Sequence, residues 1–267
     1  AYVLIAPLLW PDLDDIHQDA LVSALYLADY GIAFFDSPDT LLHMWSLSVE
    51  EHFYLIWPPL LVLLLRKTQA GKLWRPILLL WVLSTLWRLF WVGQGQHFYE
   101  IFFRFDTRAS GLLAGSLLAA LVIEKPVWIQ ALQKRMPHVM WLPLAIPLMM
   151  RLEWDNQAVM IWGLTVVECA ALVLLVAVQQ QRGMVYEMLR APVLVHLGRL
   201  SYGVYLWHYP VVRYLRAEYS WPVVVVAGLA ISIALSALSF YTIERWAMRW
   251  RDRPKRADEG GVPATAG

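Results

Sequence analysis

Two adjacent carboxylates stand where a polar stretch of the chain runs into an apolar one, within residues 42–58. Glu50 and Glu51 fall inside a predicted membrane-spanning helix, where each charge costs about 2.5–3.5 kcal/mol at the bilayer centre. On a helix Ser46 and Glu50 share one face, whereas Glu51 points about 100° away. Glu50 is therefore expected to face a polar site better than Glu51 does. We predict that Ser46, Glu50 and Glu51 are catalytic.

Several further charges lie at membrane depth. Arg88 and Arg108 each sit in or at the edge of an apolar run. A buried guanidinium needs an anionic side chain or a bound anion, and the sequence leaves both open. Glu168 has no motif around it and is predicted to form a structural ion pair. Asp106 and Thr107 are predicted to cap the helix that carries Arg108.

A second stretch, residues 197–210, combines hydroxyl, phenol and imidazole groups. Ser201, Tyr205 and His208 are spaced at i, i+4 and i+7, which places them on one helical face. A polar and aromatic stripe of this kind either lines a substrate path or forms the aromatic belt at the membrane surface. The residues alone leave both interpretations open.

Composition indicates the class of protein that must position these groups. The chain has 267 residues, of which 59% are hydrophobic and 15 are Trp, and its mean hydropathy is +0.50. This is too apolar for a soluble domain and indicates a membrane protein with several spans. A single cysteine excludes an internal disulfide framework. No metal-ligand spacing or phosphate-binding loop is found, so we expect no bound metal or cofactor and no nucleic-acid partner.

The hydropathy pattern predicts an all-α, polytopic transmembrane bundle with about seven full spans and one clipped span at 1–10. The full spans are predicted at residues 45–65, 75–92, 107–123, 139–150, 158–179, 193–211 and 222–243. A short apolar run at 21–35 is predicted to be a helix on the membrane surface. Residues 1–250 are expected to form the membrane domain, and 251–267 a basic and polar tail.

The charges of the loops predict the orientation of the bundle. The loops after the first, third, fifth and seventh spans, together with Arg75, hold 15 of the 22 Lys and Arg residues. The positive-inside rule places these loops and the C-terminus in the cytoplasm, so the start of the first full span faces outward. A bacterial inner membrane is the expected location.

Four stretches resemble motifs of the acyltransferase-3 family, the integral membrane O-acyltransferases. Residues 43–54 are similar to the family's His-x-Trp-Ser-Leu-x-Val-Glu-Glu-Gln-Phe-Tyr signature, with His52 in place of Gln. Residues 106–115 and 197–210 resemble two further motifs, and 241–245 resembles the terminal Glu-Arg-Pro. The stretches occur in the family's order along nearly the whole chain.

The resemblance implies transfer of an acyl group, usually acetyl, from acyl-CoA to a hydroxyl of an extracytoplasmic glycan or glycolipid. Glu50 would orient a histidine base or act as the base, and the arginines would hold a donor phosphate or an acceptor anion. The family has about ten spans, of which this chain resembles the last eight, so the first-helix Arg and His motif is expected upstream. The predicted substrate-binding residues are His43, Trp45, Tyr54, Arg88, Arg108, Tyr205 and His208.

Two other interpretations compete with an O-acyltransferase. Buried charges and Pro-broken helices also mark the substrate paths of small-solute transporters, in which inverted internal repeats are common. No such repeat is evident in the sequence. A catalytically inactive fragment is the third interpretation, because the family's first-helix motif cannot be placed in this chain.

Overall fold

The computed structural model describes residues 15–135, 156–244 and 246. Every regular element among them is a helix, which confirms the predicted all-α fold. The chain divides into two compact units, Ala1–Leu194 and Val195–Gly267. The helices are α1 (Ile16–Ala24), α2 (Ala28–Phe35), α3 (Met44–Lys67), α4 (Trp74–Gly93), α5 (Phe98–Phe102), α6 (Phe105–Glu124), α7 (Pro126–Lys134), α8 (Leu164–Gln179), α9 (Met184–Leu189), α10 (Pro192–Glu218) and α11 (Trp221–Ser239). A π-helical turn precedes α8 at Val159–Gly163, and another follows α11 at Phe240–Glu244.

Among the described residues, five helical segments are long and apolar enough to cross a membrane. They are Met44–Lys67, Trp74–Gly93, Phe98–Glu124, Val159–Gln179 and Trp221–Ile243. These coincide with five of the predicted spans and confirm a polytopic helical bundle. The predicted spans at 1–10 and 139–150 lie outside the described residues, as does the tail 251–267. The remaining predicted span, 193–211, is helical within α10, where Arg199 and His208 make the segment less apolar.

The segment ahead of α3 differs from its prediction. Instead of one surface helix over 21–35 there are two short helices, which separate at Tyr26, a residue in the left-handed region with a φ of 54°. Asp29 lies in the first turn of α2 and is fully buried. The reason is that α2 packs against α3, where the Ala28 N–H donates to Ser48 Oγ at 3.2 Å. The acidic segment therefore contributes a buried carboxylate to the first unit.

A buried carboxylate on α1 holds the loop between α2 and α3. Asp19 Oδ2 accepts hydrogen bonds from the N–H and the hydroxyl of Thr40, at 2.9 and 2.6 Å. The Ser37 hydroxyl donates to Asp19 Oδ1 at 3.3 Å. Gly31 lets the loop return over α2, because a Cβ at this position would lie 2.2 Å from the Ser37 carbonyl oxygen. These contacts fix α2 where its Asp29 meets α3.

Helix α6 lies at the centre of the first unit and packs against α3, α4 and α8. Ile77 of α4 packs with Leu117 and Ala120 of α6. Phe53 of α3 packs with Leu113 of the same helix. Helices of membrane proteins associate mainly through such packing, because lipid provides no hydrophobic driving force between them. Polar groups on α6 are consequently held against three neighbouring helices.

The end of α6 caps the start of α4. Glu124 Oε1 accepts from the Leu73 N–H at 3.1 Å, and Oε2 accepts from the Trp74 N–H at 3.0 Å. A carboxylate at a helix N-terminus satisfies unpaired N–H groups and complements the helix dipole. This contact joins two antiparallel helices at one end of the first unit.

Glu124→Ala is expected to lower the free energy of unfolding by about 1 kcal/mol, because it leaves two N–H groups without their acceptor. Chemical denaturation in detergent micelles measures this loss. Glu187→Ala is the matched control, since Glu187 pairs with Arg190 at 3.4 Å on an exposed surface and such pairs contribute little. Equal unfolding midpoints for the two variants would contradict a stabilising cap.

Close approach of α10 and α11 organises the second unit. A Cβ at Gly203 would lie 2.4 Å from Ser236 Oγ and 3.2 Å from the Ser236 Cα. The Ser236 hydroxyl in turn donates to the Leu200 carbonyl at 2.7 Å. A glycine facing a hydroxyl allows the two helices to meet almost backbone to backbone, as in other membrane helix pairs.

Candidate active site

The polar groups of the first unit gather at one end of its antiparallel helices. The start of α3 meets the start of α6, where the Arg108 guanidinium lies 5.3 Å from the Trp45 ring centroid. The last part of α4 meets the same region of α6 through Arg88 and Ser110. Charges that are separated by many residues in the sequence therefore share one end of the bundle.

A buried ionic network joins α4, α6 and α8. Arg88 is fully buried and donates to Ser110 Oγ at 3.1 Å and to Thr165 Oγ1 at 2.7 Å. Its Nη1 lies 3.7 Å from Glu168 Oε1. The Ser110 hydroxyl donates to the same oxygen at 2.6 Å, and Trp81 Nε1 donates to Oε2 at 3.2 Å. The predicted ion pair of Glu168 is confirmed, and it accounts for the charge of Arg88 without a bound anion.

Arg108 has a different environment from Arg88. Its guanidinium lies over two aromatic rings, 5.3 Å from the Trp45 centroid and 4.7 Å from that of Phe102. Among the described residues it forms no ion pair, although Arg88 and Glu168 are within electrostatic range. A partly buried cation held by aromatic faces keeps its N–H groups for an external acceptor. The anion-binding roles predicted for Arg88 and Arg108 stay predictions, and Arg108 is the one of the two that has no ion pair among the described residues.

The predicted catalytic residues lie along the flank of α3. Its buried face carries Ser48, Val49 and Phe53. Glu50 is half-buried beside this face, whereas Glu51 is exposed on the far side, the difference expected from a step of 100°. Glu50 forms no hydrogen bond or ion pair with Arg88 or with Arg108. The structure therefore brings Glu50 to the same end of the bundle but not into the ionic network.

The remaining predicted groups of this motif differ in burial. Ser46 is half-buried one turn before the Glu50 position, and Tyr54 is 57% exposed one turn after it. His43 is buried immediately before α3. Trp45 packs against Phe103 with ring centroids 5.3 Å apart. Trp45 thus joins the Arg108 environment directly, whereas Tyr54 extends away from it.

The predicted capping of α6 is wrong. The N-cap residue, Arg104, makes no side-chain capping bond, and neither Asp106 nor Thr107 accepts a hydrogen bond from the first N–H groups of this helix. Asp106 instead accepts from Arg104 Nε at 2.9 Å and from Trp87 Nε1 at 2.7 Å, which connects α6 to α4. The Thr107 hydroxyl donates to the Ile101 carbonyl at 2.5 Å. The two side chains therefore contact Arg104, α4 and α5 and do not bind the first N–H groups of α6.

One buried pair was not predicted. The carboxylate of Asp29 in α2 lies 3.1 Å from His52 Nδ1 in α3. The imidazole also contacts two rings, Phe105 edge-on at 5.7 Å and Tyr30 at 6.0 Å. Burial raises the pKa of Asp29, an effect that the nearby His52 opposes. The available signal was His52 itself, which stands where the resembled motif has Gln.

Tyr205 and His208 lie together in the second unit. His208 Nδ1 is 2.6 Å from the Tyr205 carbonyl oxygen, and the two rings are 5.4 Å apart. His208 also lines an apolar groove of about 180 Å³ between α10 and α11, together with Trp221 and Ser232. The substrate-binding roles of Tyr205 and His208 stay predictions.

Within the described part of the chain, no group of three His, Cys, Asp or Glu residues is placed to hold a metal ion. The described residues of the first unit offer a half-buried carboxylate, a guanidinium that forms no ion pair among them, and a histidine held by an aspartate. A carboxylate or a histidine can move a proton, and a guanidinium can hold an anion. Such groups are suited to a reaction that moves a proton and binds an anionic substrate.

Comparison with known proteins gives the family of this chain. The model of the acyltransferase-3 family, described as an acyltransferase domain, matches residues 2–241. The putative peptidoglycan O-acetyltransferase YrhL of Bacillus subtilis (strain 168) is 28% identical over 253 residues, which cover 87% of this chain and 40% of the relative. The peptidoglycan O-acetyltransferase OatA of Listeria monocytogenes is 27% identical over 256 residues, covering 87% and 40%.

The O-acetyltransferase OatA of Staphylococcus aureus (strain NCTC 8325 / PS 47) is 25% identical over 241 residues, covering 83% of this chain and 39% of the relative. The chain thus spans about two fifths of the length of these curated relatives. No solved structure gives a significant match. Because the family model covers most of the chain and the motifs occur in order, the chain belongs to the acyltransferase-3 family.

Proposed function

We propose that this protein is a membrane O-acetyltransferase that moves an acetyl group from acetyl-CoA to a hydroxyl of an extracytoplasmic glycan. Membership of the acyltransferase-3 family supports the reaction class. The names of the relatives, which are peptidoglycan O-acetyltransferases, favour peptidoglycan as the acceptor. The same names favour acyl transfer over the transport of a small solute.

The observation that carries this proposal is the contact between two family motifs at one end of the first unit. Glu50 and Trp45 come from the first motif, and Arg108 and Ser110 come from the second. Their helices meet through the stacking of Arg108 on Trp45. Two motifs that are far apart in the sequence thus meet at one end of the first unit. Such a meeting is expected of a site that must bind two substrates.

Acyl transfer needs a base for the hydroxyl and donors for the oxyanion that develops on the thioester carbonyl. The half-buried Glu50 would take the hydroxyl proton itself or support the base that takes it. Arg108 would hold an anionic group of a substrate. The Arg88–Glu168 pair would keep these helices in place. No bound cofactor is required, because acetyl-CoA is a substrate.

The charge of the loops supports an orientation in a bacterial cytoplasmic membrane. The basic loop after α3 and the basic C-terminal tail would face the cytoplasm, which contains acetyl-CoA. The starts of α3 and α6 would then face outward, toward the glycan. An epitope tag at the C-terminus that is cleaved by protease only in inverted vesicles would support this orientation.

The experiment compares glycan acetylation in cells that carry or lack the complete gene. Mass spectrometry of released muropeptides is expected to show ester-linked acetyl groups that disappear on deletion. Glu50→Gln in the full-length protein is expected to lower the acetyl content about 10²-fold or more, the usual contribution of a general base. Glu187→Gln, on the exposed helix α9, is the control.

Two results would count against the proposal in different ways. Identical acetyl content in the deletion strain and the parent, for peptidoglycan and other surface glycans, would overturn the transferase function. Normal acetylation by Glu50→Gln, at an expression level equal to that of the parent, would remove Glu50 from the mechanism while the function stands.

A further inference from the structure

The pair formed by Asp29 and His52 has the geometry of a catalytic dyad. Asp29 is fully buried, whereas 22% of the His52 side chain stays exposed. Only one ring nitrogen, Nδ1, faces the carboxylate, at 3.1 Å. A carboxylate at Nδ1 fixes the tautomer in which this nitrogen carries the proton, and Nε2 then offers its lone pair to an outside group.

Neighbouring elements hold both members of the pair in place. Asp29 lies in the first turn of α2, where the helix dipole favours a negative charge. The hydrogen bond from the Ala28 N–H to Ser48 Oγ fixes this turn against α3, one helical turn before His52. On the other side, Phe105 of α6 contacts the imidazole edge-on. The ring is therefore confined by three helices.

The other titratable groups near the pair are accounted for. Burial, together with the carboxylates of Asp106 and Asp29, raises the pKa of Tyr30 to about 12, so this phenol stays neutral. Asp106 is engaged by Arg104 through two hydrogen bonds. Glu51, next to His52 in the sequence, is exposed on another face of α3. Asp29 is the one carboxylate among the described residues that contacts the imidazole.

We propose that His52 is a general base of the acyl transfer and that Asp29 is its positioning residue, an inference that rests on the O-acetyltransferase function proposed above. His52 Nε2 takes the proton of the acceptor hydroxyl as the new C–O bond forms at the thioester carbonyl. The C–S bond then breaks, and the imidazolium gives the proton to the departing CoA thiolate. The products are the acetyl ester and free CoA, and neutral His52 is restored.

The residue at position 52 makes this inference specific to the chain. A glutamine, which the resembled motif has here, could donate a hydrogen bond to Asp29 but could not accept a proton at neutral pH. An imidazole does both, and its unperturbed pKa near 6.5 suits proton transfer. The substitution thus adds proton-transfer capacity at the end of the bundle that carries Trp45 and Arg108.

The test uses the full-length protein in native membranes, with acetyl-CoA as donor and a soluble muropeptide as acceptor. His52→Asn is the informative variant, because its amide can replace Nδ1 as the donor to Asp29 but cannot accept a proton in place of Nε2. The kcat of this variant is expected to fall about 10²-fold, with little change in the KM for acetyl-CoA or in the KM for the muropeptide. The equivalent change of an exposed histidine in α1, His17→Asn, is the control.

Two further variants separate catalysis from a structural role. His52→Ala is expected to regain part of its activity when imidazole is added, because the side chain reaches solvent. Asp29→Asn is expected to lower kcat about tenfold in the presence of His52 and to have no further effect on His52→Asn. Such non-additivity identifies a pair that acts as one unit.

The outcomes distinguish this inference from the function on which it rests. No acetyl transfer by the unmodified protein to any glycan acceptor would overturn the proposed function itself. An active parent with an equally active, normally expressed His52→Asn would overturn the dyad and leave the function intact. Loss of folding in His52→Asn, together with no imidazole rescue of a folded His52→Ala, would show that the pair only clamps α2 to α3.

Discussion

Glu168→Ala is expected to destabilise the first unit by about 3–5 kcal/mol, the cost of removing one partner from a buried ion pair. Arg88 is fully buried, and its remaining partners, Ser110 and Thr165, are neutral. Trp81 Nε1 would lose its acceptor as well. The variant should therefore unfold at a clearly lower denaturant concentration, as followed by tryptophan fluorescence in detergent micelles.

Matched variants separate charge from packing in this network. Glu168→Gln removes the charge and keeps one oxygen, which can replace the acceptor of Trp81 or that of Ser110 but not both, so an intermediate loss is expected. The double variant Arg88→Met with Glu168→Leu should recover much of the stability, because an apolar pair of similar volume avoids desolvation. A loss below about 1 kcal/mol for Glu168→Ala would show that the network contributes no more than a surface pair does.

The membrane spans could be predicted because they depend on local composition. A run of about 20 apolar residues has few alternatives to a transmembrane helix, and five predicted spans are found as helices of sufficient length. The predicted span 193–211 is helical within α10, which continues to Glu218, but its polar stripe lowers its hydropathy.

The partners of the buried charges could be predicted only in part. A charge such as Glu168 must find a partner in an apolar environment, so pairing could be expected from the sequence alone. The identity of the partner depends on which helices meet, and Arg88 is 80 positions away in the chain. The asymmetry between Glu50 and Glu51 was predictable because it follows from helix geometry within a single element.

The Asp29–His52 pair could not be predicted by the same reasoning. The segment 11–44 is rich in aspartate, and its apolar run 21–35, which contains Asp29, is predicted to form a helix on the membrane surface. Asp29 is buried by tertiary contacts. The hydrogen bonds between Thr40 and Asp19 hold the loop between α2 and α3, and this loop lets α2 pack on α3. Acidic composition does not reveal which one of several carboxylates is enclosed in this way.

Arg108→Gln is expected to raise the KM for an anionic acceptor about 10- to 100-fold, which corresponds to the loss of a hydrogen bond to a charged group. Arg108 lies at the end of the bundle proposed to face the glycan, and its guanidinium has aromatic contacts but no ion pair among the described residues. The KM for acetyl-CoA and the kcat should change little. Arg108→Lys should give an intermediate KM, because an ammonium keeps the charge without the planar fork.

A pair of acceptors identifies the group that Arg108 binds. A muropeptide with free carboxylates should lose affinity in Arg108→Gln, whereas a neutral chito-oligosaccharide should be acetylated equally by the parent and the variant. Arg216→Gln is the matched control, since it removes a similar stacking contact, 5.2 Å from the Trp221 centroid, on an exposed helix end. A rise in the KM for acetyl-CoA instead would assign Arg108 to the donor phosphates, and equal loss with both acceptors would assign it to helix packing.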